Sequence, residues 1–327
     1  MRSKCNYFIA ALVLAVLCGS ACAAPKALRL AHVVNEQDSF HVCALKIKEV
    51  VEAESGGELT VDIFPNAKLG DERTLLENVR MGVIDMAIIT GGPIINFMPE
   101  FGIFDLPFLF RDEAHAYSVL DGELGQGILD RMDKVGWKGL AYGERGFRDL
   151  TNSKRPVVKP SDMAGLKIRL MENPIYVETF RALGANAVPM SWPETLTALQ
   201  QGTIDGHDNS LSTINSANVQ EVQKYITISN HTYEAFTFTA NTAKFEKLSA
   251  ETQALIRQCV EEACKEMNQQ IVADEAGLKD KFINENGCEI YELTEDDVAK
   301  FKAVVQPLID QYKEVYGADA CTAFGVQ

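Results

Sequence analysis

Leu76-Glu77-Asn78-Val79-Arg80-Met81-Gly82-Val83-Ile84-Asp85 decides the fold of this chain, because the sequence uses its pattern twice. Leu196-Thr197-Ala198-Leu199-Gln200-Gln201-Gly202-Thr203-Ile204-Asp205 repeats the same frame of apolar residues, glycine and Ile-Asp. Apolar positions three apart fit one helix face, the glycine stops the helix, and Ile-Asp leads into a strand. Each copy follows a strand that ends in proline, Phe64-Pro65 before the first and Val188-Pro189 before the second. The economical reading is two similar α/β lobes facing each other. A cleft between lobes is the default seat for a small ligand.

Around the first copy, a strand is expected from Ala27 to Val34 and a helix capped by Asp38 or Ser39, with Phe40, Ala44, Ile47 and Val51 on its apolar face. Gly56-Gly57 ends it. Leu59 to Phe64 reads as a second strand, Asp71 caps a helix through Arg80, and Asp85 to Thr90 is a third strand. This rhythm predicts parallel crossovers, with Gly91-Gly92-Pro93 at the strand end where open sheets place ligands. A loop rich in Phe and Pro (Phe101, Phe104, Pro107, Phe108, Phe110) reads as packing. Two helical stretches through Leu129 lead to a strand from Lys138 to Tyr142.

Around the second copy, Gly165-Leu166-Lys167-Ile168-Arg169-Leu170 alternates like a half-buried strand, and Asn173-Pro174 opens a helix after it. Arg169 thus stands on a rigid element and offers a planar fork that fits a carboxylate. It reads either as an anion anchor or as one half of a structural ion pair. Beyond Asn241 a long helix from Ser249 to Asp274 can brace both lobes, followed by a strand from Ile290 to Leu293 and a helix from Phe301 to Tyr316.

The start of the chain is not part of that fold. Arg2 and Lys4, the apolar run Tyr7 to Cys18 and the small residues 19–24 form an export leader, with cleavage expected after Ala23. Lipidation at Cys22 is the alternative, although Gly19 stands where a lipobox has Leu. No later run is long enough to span a bilayer, so an exported, soluble product is expected. The leader holds two of the 31 basic residues and no acidic one, which leaves 29 basic against 46 acidic residues, a charge of about −17. Such a chain does not bind nucleic acid through bulk electrostatics. Any anion site must be built locally against that field. Five cysteines follow the leader, too scattered for a disulfide framework or a zinc pattern. Cys288 with Cys321 is the one pairing to test; buried free thiols are the simpler state.

A search for catalytic signatures finds no G-x-S-x-G elbow, P-loop, G-x-G-x-x-G after a strand or H-E-x-x-H, and nothing calls for a cofactor or a metal. His41 and His115 fall in helices. His32, at the end of the first strand, could reach a cleft or serve packing. What stands out is a set of cationic and amide groups at strand ends: Arg148, Arg169 and Asn209, with Trp192 opening a helix beside them. Two or three charge-assisted hydrogen bonds of about 1.5–3 kcal/mol each reach roughly micromolar affinity for a small organic anion.

The runs Gly146-Phe147-Arg148…Asn152, Asp162-x-x-Gly165-Leu166-Lys167-Ile168-Arg169, Leu183-Gly184-Ala185, Pro189-Met190, Ala198-Leu199-Gln200-x-Gly202-x-Ile204-Asp205-Gly206-x-x-Asn209 and Glu221-Val222-Gln223-Lys224-Tyr225, with Pro65-x-x-x-Leu69-Gly70-Asp71-Glu72, resemble the solute-binding proteins of tripartite ATP-independent periplasmic (TRAP) transporters, the DctP type. The resemblance covers essentially the whole chain after the leader. It implies a periplasmic binding protein-like α/β fold, two lobes with a ligand cleft and a long bracing helix. The lobes would be residues 24–147 plus about 235–274, and 148–234 plus about 275–327. It also implies closure on a small organic acid in the periplasm, no enzymatic activity, a monomer, and hand-over to a small and a large membrane subunit. By position, Arg169 would clamp the carboxylate, Arg148 would be the second cation, Asn209 the amide and Trp192 the aromatic wall. His32, Val33 and Thr90 would be contacts from the first lobe, and the small residues Thr90, Gly91 and Gly92 would leave room near the cleft. The chain departs from the pattern at His207-Asp208-Asn209-Ser210, where many relatives read Gln-Glu-Asn-Pro, and at Thr90-Gly91-Gly92, where sialic-acid binders carry Glu. The competing expectations are a sensing or ABC-type binding protein and a secreted enzyme.

Overall fold

The structure, a computed structural model, describes residues 26–317. The leader with its cleavage or lipidation site, and Cys321 of the candidate disulfide, lie outside the described residues. The first unit runs β1 (Lys26–Ala31), α1 (Ser39–Glu54), β2 (Leu59–Phe64), α2 (Glu72–Arg80), β3 (Met86–Thr90). After α3 (Gly91–Ile94), a 3-10 stretch at Pro99–Asp105, α4 (Glu113–Leu120) and α5 (Glu123–Arg131) comes the long strand β4 (Trp137–Asn152). The second unit is β5 (Lys167–Leu170), α6 (Pro174–Ala182), β6 (Asn186–Pro189), α7 (Trp192–Gln201), β7 (Gly206–Asn209). Then follow α8 (Leu211–Ser216), β8 (Tyr225–Asn241), α9 (Thr242–Phe245), α10 (Ala250–Asn284), β9 (Glu289–Glu292) and α11 (Glu295–Tyr316).

Both units are parallel and wound in the same order, β2-β1-β3 and β6-β5-β7. The repeated decapeptides do the same work in each. Gly82 and Gly202 take positive φ, +74° and +67°, to stop their helices, a conformation glycine adopts without a steric cost. Asp85 Oδ2 then accepts the Arg29 amide of the neighbouring parallel strand at 2.9 Å, and Asp205 Oδ2 accepts that of Lys167 at 2.9 Å. The long antiparallel strands β4 and β8 join the units into one open sheet of order β2-β1-β3-β8-β4-β7-β5-β6, with β9 on the far part of β8.

The sequence reading stops β4 at Tyr142 and does not identify β8. Both strands are buried on both faces for most of their length, so the alternation that marks a half-buried strand is absent. Helix α10 runs ten residues past the expected Asp274, straight through Gly277, whose missing side chain faces nothing within 4 Å. It buries Ile256, Val260, Met267 and Ile271 in the core of the first half and Leu278 and Phe282 in a core of the second. It is therefore a brace across both. No helix among the described residues is long and apolar enough to cross a membrane. Cys43, Cys259, Cys264 and Cys288 are buried free thiols.

Where β4 crosses between the halves it slips register twice, between Glu144 and Gly146 and between Arg148 and Leu150. Bulges of this kind re-aim side chains. Here one of them leaves Glu144 under α4 and α10, bonded by the Tyr117 hydroxyl, and Glu275 of α10 with an unpartnered oxygen. Burial pushes Glu144 up to about 7 and Glu275 up to about 8, and burial also raises Asp105, near the cleft, to about 7. These groups hold protons in the folded state that the unfolded chain has released by pH 6, so the stability they confer is lost as pH rises through 7 to 8. Asp38, Asp85 and Asp208, held low, lose their contribution only in acid, outside this window. The melting temperature is expected to fall by about 5 °C between pH 6.5 and 8.5, at about 2–4 °C per kcal/mol. A flat or rising profile in differential scanning calorimetry would contradict this burial.

Candidate functional site: a buried arginine cluster in the interlobe cleft

Arg169 is at the third position of β5, between β6 and β7. Lys167, on the same face of the strand, is exposed, whereas Arg169 is buried. Its Nε donates to the Met190 carbonyl at 2.8 Å and its guanidinium carbon stands 5.8 Å from the centre of the Trp192 ring. Among the described residues it makes no ion pair, and its terminal N–H groups have no hydrogen-bond partner. Burial, with Arg148 nearby, pulls it down to about 10, so it stays charged at neutral pH. An unpaired buried cation is costly. Such a group persists where something outside the chain completes it.

Arg148 stands beside it, equally buried, but its donors are taken up by the protein. Nε donates to Asp208 Oδ2 at 2.6 Å, one terminal nitrogen to Glu234 and, at 3.5 Å, to Asn209 Oδ1, and the other to the Asp208 carbonyl. Burial opposes its charge, but Asp208 and Glu234 outweigh that and hold it well above the usual range. The fork that the sequence offers to a ligand is thus spent almost wholly inside the protein. Arg148 orients Asn209, whose Oδ1 also accepts the Ser210 amide at 3.0 Å, and the Asn209 side-chain NH2 has no partner among the described residues. Trp192 is half-buried at the start of α7, between Arg169 and the His207 ring.

The first lobe contributes differently from the expectation. Thr90 donates its amide at 2.8 Å and its hydroxyl at 2.7 Å to Glu72 Oε1. Glu72 is buried and raised by that burial, and Arg169 is among the charges acting on it. It is a residue that sequence reasoning passed over. Gly91 and Gly92 leave no open room: a Cβ at Gly91 would meet Phe101 Cε1 at 2.9 Å, and one at Gly92 would meet Met171 Cε at 2.8 Å. The smallness of Gly91 lets Phe101 and the Ala235 carbonyl pack within the first half, and that of Gly92 lets Met171 of the second half approach. Asn173 Nδ2 reaches the Gly92 carbonyl at 3.1 Å, and Asn96 Nδ2 reaches that of Glu172 at 2.6 Å. His32 bonds His41 at 3.1 Å and lies beside the Asp38–Arg145 pair, not against the arginine cluster. Val33 is buried next to it. At this second seam Asp38 accepts both Arg145, at 2.6 Å and 3.0 Å, and, from the other half, the Ser216 hydroxyl at 2.8 Å.

Volume alone does not find this site. A cavity of about 710 Å³ opens between α4, β4 and α10, lined by Tyr117, Leu140, Tyr142, Tyr233 and Asn268. It contains no arginine. Charge marks the cleft instead, and among the described residues no group of three or more His, Cys, Asp or Glu side chains is arranged to hold a metal ion.

The chain is similar to known solute-binding proteins. A "Solute-binding protein" of Verminephrobacter eiseniae is 41% identical over 271 residues, 83% of this chain and 80% of its own. Among solved structures, a TRAP periplasmic solute-binding protein from Bordetella bronchispeptica, with density interpreted as pantoate, matches at TM-score 0.88 and 37% identity over 91% of this chain and 98% of that one. The sugar acid binding protein of Advenella mimigardefordensis, in complex with galactonate, matches at TM-score 0.88 and 33% identity over 92% and 97%. The model of the DctP family, described as bacterial extracellular solute-binding protein, family 7, matches residues 30–315, and the chain belongs to that family.

Proposed function

We propose that this protein captures a small organic acid in the periplasm by closing its two lobes, and delivers it to the small and large membrane subunits of a TRAP transporter. The observation that carries the reading is Arg169, a buried guanidinium with free N–H donors and no carboxylate partner among the described residues. A ligand carboxylate supplies the missing charge and takes a bidentate bond. Asn209 offers its free amide to the same ligand, Trp192 forms a wall, and Arg148 holds Asn209 while contributing long-range positive charge. Thr90 acts through Glu72 and Gly91 through close packing within the first lobe, and His32 and Val33 support the first-lobe edge of the cleft.

The lobes are residues 24–147 with about 235–274, and 148–234 with about 275–327, hinged where β4 and β8 cross. The protein works as a monomer, without a cofactor and without turning over its ligand. The leader is removed after Ala23. A thermal-shift screen tests the reading. D-Galactonate, pantoate or succinate is expected to raise the melting point by several degrees at about a hundredfold excess over Kd, while neutral D-galactose is not. Equal shifts from the neutral sugar, or no shift from any acid, would sink the proposal.

A further inference from the structure

His207 is the neighbour of Arg169 across β7, paired with it in register, so the two side chains leave the same face of the sheet. Its ring lies 6.2 Å from that of Trp192, with planes inclined by 29°. The imidazole is fully buried, and its Nε2 has no hydrogen-bond partner among the described residues. A buried polar atom without a partner calls for an explanation. The partner of the other nitrogen supplies one, because it fixes which nitrogen carries the proton.

Nδ1 lies 2.7 Å from the Thr151 hydroxyl, which is also 3.2 Å from Gln223 Oε1 and 3.3 Å from the His207 carbonyl. Gln223 donates its Nε2 to the Val222 carbonyl at 3.1 Å, which orients the amide with its oxygen toward Thr151. Thr151 has one proton and two neighbours that can only accept. If Nδ1–H donates to Thr151 and Thr151 donates to Gln223, both contacts are satisfied. If Thr151 donates to Nδ1, the Gln223 oxygen goes without. The first arrangement makes one more bond and leaves Nε2 as a bare lone pair. Burial, against Asp208 and helped by Arg169 and Arg148, pulls His207 down to about 3, so the ring is neutral at working pH.

We propose that His207 Nε2 accepts a hydrogen bond from a hydroxyl group of the bound acid, and that His207 thereby selects hydroxylated carboxylates over their deoxy counterparts. This rests on Arg169 as the carboxylate anchor. A carboxylate oxygen has no proton to give the lone pair. An ammonium group would meet the positive field of Arg169 and Arg148. A hydroxyl is the donor that suits both neighbours, and a pocket built for one rejects the analogue that lacks it.

Calorimetry with two matched pairs, malate against succinate and D-erythronate against butanoate, tests this. The wild type is expected to bind the hydroxylated member at least about tenfold more tightly. His207→Phe keeps an aromatic ring beside Trp192 and should shrink the preference to less than about twofold by weakening only the hydroxylated member. His207→Gln, whose amide oxygen can accept, should retain it. Arg169→Ala weakens both members alike, which separates loss of the anchor from loss of selectivity. A preference unchanged in His207→Phe, or a wild type that prefers neither member of a pair, overturns the proposal and leaves the anchor standing; a wild type that binds no member of either pair and neither D-galactonate nor pantoate overturns both. Should the phenylalanine variant not fold, imidazole proton–nitrogen NMR of the wild type decides: an Nδ1–H ring whose Nε2 signal moves on adding erythronate supports the assignment, and an Nε2–H ring refutes it.

Discussion

Replacing Arg169 with alanine is expected to weaken binding of an organic acid by at least about a hundredfold, with no loss of stability in the ligand-free protein. The binding effect follows from two charge-assisted hydrogen bonds of about 1.5–3 kcal/mol each, which together reach about two decades or more in Kd. The stability effect follows from Arg169 having no carboxylate partner among the described residues. Removing a buried cation that no described residue pairs relieves a desolvation cost. A structural arginine would behave in the opposite way, since its loss strands a partner. Titration calorimetry with D-galactonate and a melting curve of the empty protein measure both halves. A mutant that binds the acid within about threefold of the wild type, or one that melts many degrees lower, removes Arg169 from the anchor role.

Asp208→Ala should produce the converse pattern, a large fall in stability. Asp208 accepts Arg148 and, at 3.3 Å, His231, in a site where all three are buried. Of its two carboxylate partners Arg148 would keep Glu234, itself buried with one oxygen unpartnered, beside the backbone carbonyl of residue 208 and Asn209 Oδ1. Breaking a buried pair from one side costs about 3–5 kcal/mol, or roughly 10 °C in melting temperature for a chain of this size. Urea unfolding is the direct measure. A cost below about 1 kcal/mol would mean that water or another carboxylate takes up the charge, and that Arg148 is not held as its geometry indicates.

How much of this could be read in advance depends on the range over which each signal acts. Helix, glycine stop and strand entry are set within ten residues, so the two units were legible, down to Gly82 and Gly202. The burial of β4 and β8 on both faces comes from elements far along the chain, and it erased the period that would have revealed them. In the site, Arg169 could be found as a cation on a strand. The saturation of Arg148 could not, because its acceptors lie 60 and 86 residues away. Glu72 carried no warning either. An acidic residue in the first turn of a helix is ordinarily there for the helix dipole, and only the approach of Thr90 turns it into a buried group. His32 looked free because its partner, His41, sits on the next element.

The position of β8 has a consequence for the order in which the molecule can be assembled. Its last residues, Phe236 to Ala240, lie between Met86–Thr90 of β3 and the start of β4. A chain that ends before them carries β3 as an open edge, with a row of unpaired amides and carbonyls along its fully buried residues. The first half, although made first, therefore closes only when residue 241 of 327 is present. That late central strand writes a delay into the topology, because the amino-terminal half cannot complete its sheet until most of the chain is present.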